Sequence, residues 1–205
     1  MSAFLGEIHH WLYNKIQLQQ DLVEEIIKLA EKAYHFPLRE ELDATYGTSE
    51  TRPLEEVIDE TNIHGWLQSK VAQVEYKLAY SMKRLIEVDS QAISKIQELF
   101  TQKGKEKRAS LQAENIDASE LYEQVSNHLL DGMPCDHAST VIESSEDQVV
   151  WRRNTCVHSK YWEAVGIDVK VYYVLREAWL LGFLSGENEA FEQIDEVTYS
   201  LKKEK

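Results

Sequence analysis

The sequence predicts a mainly helical α+β fold, a helical bundle carrying a β-hairpin. Three observations lead there. Apolar residues recur at three- and four-residue spacing over most of 1–132, a β-branched stretch around Glu146-Asp147 breaks that period, and a nearly all-apolar segment follows it.

From Ala3 to about His35, the residues Phe4, Ile8, Trp11, Leu12, Ile16, Leu22, Ile26 and Ala30 line one face of a long helix that ends before Pro37. A shorter helix is expected over Pro37 to Ala44, then a loop through Tyr46-Gly-Thr-Ser-Glu. Pro53 suits the first turn of the next helix, and Gly65 would punctuate that element. Leu67, Val71, Val74, Leu78, Met82 and Leu85 form the seam of a helix packed in a bundle. Asp89-Ser90 restarts the chain as an N-cap, with helix through Leu99 into the charged segment. Asp117-Ala-Ser-Glu120 has the form of a capping box ahead of Leu121 to Leu130. Gly132 closes that helix and Pro134 forbids its continuation.

The segments 139–145 and 148–155 read as hairpin strands joined at Glu146-Asp147. A short turn of helix, Ser159 to Gly166, comes next. Asp168 then caps a long helix over Val169 to Ser185, apolar nearly all round and so central to the fold. Beyond Glu187 two readings stay open: Phe191, Ile194, Val197 and Leu201 fit a helix, while Val197-Thr-Tyr-Ser-Leu fits a third short strand. The expected organisation is one domain over 1–205, with the bundle in 1–132, the hairpin in 133–160, and the buried helix and tail in 161–205.

With 22 Lys and Arg against 36 Asp and Glu, the net charge of -14 argues against a phosphate backbone as partner. The one basic cluster, Lys103 to Arg108 around Gly104, reads as a solvated helix face or a frayed segment. The longest apolar run, from Ala178 to Leu184, falls far short of the roughly 20 residues that cross a bilayer, and the N-terminus lacks a basic leader. The expectation is a soluble, cytoplasmic protein with neither nucleic acid nor membrane as partner. Two cysteines, each near a histidine, do not resemble a secreted disulfide framework.

Those cysteines point to chemistry. Cys135-Asp136-His137 and Cys156-Val157-His158 bracket the hairpin. With Glu146-Asp147 as the loop, Cys135 opposes His158 and His137 opposes Cys156, all four on one face; Ile142 opposes Trp151, Ser144 opposes Val149 and Asp136 opposes Val157 on the other. A loop slipped to Ser145-Glu146 sets Cys135 against Cys156 and still keeps the four together. Two thiolates and two imidazoles suit zinc first and iron second, and an open coordination position would make a metal-activated hydroxide for hydrolysis of a small molecule. Same-face side chains lie ~6.6 Å apart along a strand, so a shared ion needs bent strand ends, which Pro134 and Ser159 permit. A second chemistry needs no metal: Cys156 as nucleophile, His137 as its base and Asp136 orienting the imidazole. In a third reading the protein is non-enzymatic, holding a structural metal, sensing redox state or acting as a helical interaction protein, with a homodimer through exposed aromatics left open.

Other polar residues carry less. Glu7-x-x-His10 is half of a di-iron carboxylate motif, and no second half occurs. His9 flanks the apolar stripe, while His35, His64 and His128 have no evident partner. Glu75 borders the Val71/Leu78 stripe and Arg176 sits on the most apolar helix; if buried, each needs a partner or belongs to a site, because an unpaired internal charge is costly.

The run from Val149 to Gly166, a strand ending in Cys156, an amphipathic turn and a glycine, resembles the segment around a cysteine in the L-2-amino-thiazoline-4-carboxylate hydrolase-like family. The resemblance implies a hydrolase opening a C–N or C–S bond in a small ring, with Cys156 at the site. It does not extend to the rest of the chain: the Cys135/His137 pair has no place in that pattern, and the cysteine-rich C-terminal strand expected there is absent.

Overall fold

The computed structural model describes residues 5–111 and 116–203; the first residues of the expected N-terminal helix, Phe4 among them, lie outside that range. Helix α1 (Glu7–Tyr34) buries Leu12, Ile16, Val23, Ile26 and Ala30 and ends where His35 turns left-handed, with φ 52°. Helix α2 (Leu38–Tyr46) and the single turn α3 (Leu54–Val57) follow, each with a proline just before its first residue. Helix α4 (Ile63–Val88) buries the whole expected seam from Leu67 to Leu85. Gly65 does not punctuate it: it lies in the first turn and donates its N–H to the capping Asn62 side chain at 3.0 Å. Helix α5 (Ala92–Ser110) starts after Asp89, whose carboxylate accepts the Gln91 N–H, and α6 (Ala118–His128) carries the expected capping box between Asp117 and Glu120.

The basic segment 103–108 belongs to α5, and its glycine is a contact point. Gly104 of α5 and Gly182 of α8 (Lys170–Phe183) lie where the two helices cross so closely that a methyl group on either would collide with the other's backbone. Around Gly104, Lys103 pairs with Glu25 and Glu106 near the surface, and Arg108 pairs inward with the buried side chain of Glu189.

Strands β1 (Ser139–Ser144) and β2 (Gln148–Arg153) form the hairpin. Ser145 donates to the Gln148 carbonyl at 2.8 Å, closing the expected Glu146-Asp147 loop. Near the loop the register is the expected one, with Ser144 opposite Val149. A bulge at Ile142 then shifts the pairing by one residue, so Trp151 faces Val141 rather than Ile142. The short helix α7 (Ser159–Val165) ends in a left-handed Gly166. The tail resolves in favour of period two, as two strands rather than one: β3 (Glu189–Gln193) and β4 (Thr198–Lys203), joined at a turn where the Asp195 carboxylate accepts the N–H groups of Val197 and Thr198. The order β1-β2-β4-β3 is antiparallel throughout, with β4 on β2 and not on β1. One contiguous apolar core runs from α1 and α4 through α5 and α8 to Val149, Trp151 and Leu201 of the sheet. No described helix is long and apolar enough to cross a membrane.

Candidate functional site

The two Cys-x-His pairs lie beyond the ladder, which ends at Ser139 and Arg153. Past Ser139 the chain bends into a 3-10 turn over Pro134–Asp136, and His137 follows in the left-handed region with φ 46°. Asn154 fixes that bend by donating to the His137 carbonyl at 2.9 Å and to the Thr140 hydroxyl at 2.7 Å. The four side chains therefore do not share a strand face. Cys135 and His137 are exposed, Cys156 is half-buried, and His158 is buried at the cap of α7. Asp136 accepts the Met133 N–H at 2.7 Å, so its carboxylate holds the turn rather than the His137 ring. Among the described residues no group of three or more His, Cys, Asp or Glu side chains is placed to hold a metal ion. Both cysteines are free thiols.

His158 instead joins a buried ionic cluster with the two charged residues that stood out on apolar helices. Its Nδ1 lies 3.1 Å from Glu75 Oε1, and its Nε2 lies 3.6 Å from Asp131 Oδ1; His158 and Glu75 are 2% and 1% exposed. Arg176 grips Asp131 through both guanidinium ends, at 2.7 and 2.9 Å. Gln19 donates to Glu75 Oε1 at 2.8 Å, and the Tyr172 ring stacks on the imidazole with centroids 3.8 Å apart. Five elements supply the cluster: α1 gives Gln19, α4 gives Glu75, the loop after α6 gives Asp131, the cap of α7 gives His158, and α8 gives Tyr172 and Arg176. The apolar seams that bury α4 and α8 carry these polar groups inward.

The electrostatics follow from that packing. Burial opposes charge on His158, yet Glu75 and Asp131 outweigh it and push the imidazole pKa up to about 9. The ring is therefore cationic at neutral pH. Burial likewise opposes charge on Asp131, but Arg176 and His158 hold its carboxyl far below the ordinary range.

Cys156 sits two residues before His158. Its Sγ receives the Tyr173 hydroxyl at 3.1 Å, and Arg153 lies over the Tyr173 ring at 4.0 Å. Half-burial raises the thiol pKa, but the Tyr173 hydroxyl, the N–H groups of His158 and Ser159, and the charge of His158 together bring it below the ordinary value. Tyr173, His158, Asp131 and Arg176 also line a cavity of about 20 Å³, room for one water, closed by Trp151 and Tyr199. Through Asp131, Ala138 and Ser139 this cavity adjoins an outer cleft of about 180 Å³ lined by Trp11, Lys15, Ser126 and the 131–134 turn, with His137 at its edge. The arrangement sets an activated thiol close to an imidazolium, and the imidazolium and Tyr173 line the small cavity that adjoins a cleft sized for a small molecule.

Asp131, Tyr173 and Lys15 are site residues that the sequence reading missed. Asp131 follows two leucines at a helix end and reads as loop. Tyr173 and Lys15 are each masked by an apolar helix pattern, although the stripe Trp11, Lys15, Gln19 at four-residue spacing was a usable signal. Comparison with protein-family models, curated proteins and solved structures finds no match to this chain.

Proposed function

We propose that the protein is a thiol-dependent hydrolase of a small molecule, with Cys156 as nucleophile. The observation that carries this reading is the Cys156 thiol bonded to Tyr173 beside a His158 held cationic by Glu75 and Asp131. The thiolate attacks an electrophilic carbon bound to nitrogen or sulfur, the leaving atom takes a proton, and water releases the acyl group from Cys156. His158 and Tyr173 both carry a proton at neutral pH and serve as its sources, so the histidine acts as the acid and not as the base that His137 would have been. The likeness of the Val149–Gly166 run to a family acting on small rings points the same way and suggests cyclic C–N or C–S substrates. A reducing compartment such as the cytoplasm would keep the nucleophile a free thiol.

Cys156→Ser is expected to lower hydrolysis of a small thiazoline or lactam by at least about a thousandfold, whereas Cys135→Ser leaves it unchanged. Equal loss in both variants, with one equivalent of zinc or iron lost from each, would instead support a metal held by Cys135, His137, Cys156 and His158.

A further inference from the structure

Lys15 is 4% exposed and makes no hydrogen bond or ion pair with any described residue; its ammonium lies over the Trp11 ring, 4.0 Å from the centroid. It lines the outer cleft of about 180 Å³, beside Trp11, Ser126 and Asp131. The ammonium has the Trp11 face but no ion-pair partner, and Asp131, the one carboxylate among the described residues of that wall, is already gripped by both ends of Arg176. Burial, with Arg176 adding to it and Asp131 only partly opposing, brings Lys15 from 10.5 to about 8. At pH 7 that leaves on the order of a hundred times more neutral amine than an ordinary lysine has.

We propose that Lys15 is a reactive amine that condenses with a small aldehyde or ketone bound in this cleft. The amine nitrogen adds to the carbonyl carbon and a C=N bond forms; the two amine hydrogens leave with the carbonyl oxygen as water. No oxidant or reductant is required. Trp11 and Met133 give the cleft apolar lining for the carbon skeleton, and its volume fits a molecule of a few heavy atoms. This activity stands on Lys15 and is independent of the thiol chemistry at Cys156.

Borohydride converts such an imine to a secondary amine that survives digestion, so the site can be read directly on the wild-type chain. Intact protein at pH 7 would be treated with acetaldehyde or with pyruvate, each with borohydride, and mapped by mass spectrometry. Alkylation at Lys15 should exceed that at the exposed Lys105, Lys160 and Lys170 by about tenfold or more, and urea should abolish the excess. Labelling of Lys15 no greater than at those three, with both carbonyl compounds, would overturn the proposal. The measurement involves no substitution, so a folding defect cannot imitate either result.

Discussion

Glu75→Ala should lower the unfolding free energy by about 3–5 kcal/mol, the usual cost of removing one member of a buried ion pair. The loss has two parts. The His158 imidazolium keeps only one carboxylate, Asp131 at 3.6 Å, and the Gln19 amide loses its acceptor. Urea denaturation of wild type and variant measures it. The double change Glu75→Met/His158→Leu removes both charges and fills the space with apolar atoms, so it should cost far less, within about 1–2 kcal/mol of wild type. If the single variant lost less than about 1 kcal/mol, the buried cluster would not be the ion pair described.

Stability should fall as pH rises from about 6.5 to 8, the reverse of an ordinary carboxylate-driven profile. The His158 pKa is raised in the folded chain to about 9. Its contribution is complete below the unfolded value of about 6.5 and is lost as pH climbs through the folded one, roughly 3 kcal/mol in all. Lys15 works in the opposite sense: its folded pKa of about 8 is depressed, so the unfolded chain binds the extra proton and stability recovers between about 8 and 10.5. The net profile should therefore drop most steeply between pH 7 and 8. At the acid end the depressed Asp131 gives stability that is present above the ordinary carboxyl pKa and disappears as pH falls further. Urea midpoints from pH 5 to 10 test this, and the drop above neutrality should vanish in Glu75→Met/His158→Leu. A drop of equal size in that variant would place its origin elsewhere.

The helices were legible because their signals are local and periodic. The seam from Leu67 to Leu85, the Asp117 capping box and the Gly166 stop each depend on residues within one or two turns. The tail was ambiguous because Phe191, Ile194, Val197 and Leu201 fit the helical period while Val197-Thr-Tyr-Ser-Leu alternates over part of the same short span. What selects strand is β2, a partner distant in sequence. The expected square of Cys and His side chains assumed an unbroken ladder. One bulge at Ile142 changes the register, and the His137 turn takes the chain off the sheet, neither of which alternation of residue types reveals. Glu75 and Arg176 were conspicuous as charges on apolar helices. That they meet through His158 and Asp131 is long-range geometry, supplied by α4, α8 and two loops. Lys15 was hidden by its own α1 stripe, where a long side chain can lie among apolar neighbours.

The central claim is that Cys156 is an activated thiol, and the pH dependence of its alkylation by iodoacetamide tests that most directly. Peptide mapping follows Cys156 separately from the exposed Cys135. In the folded protein the Cys156 rate should reach half its maximum at lower pH than in the same chain unfolded in urea, and Tyr173→Phe should move that midpoint upward by removing the hydroxyl that stabilises the thiolate. A folded midpoint equal to or above the unfolded one, unchanged by Tyr173→Phe, would contradict the assignment of Cys156 as the nucleophile.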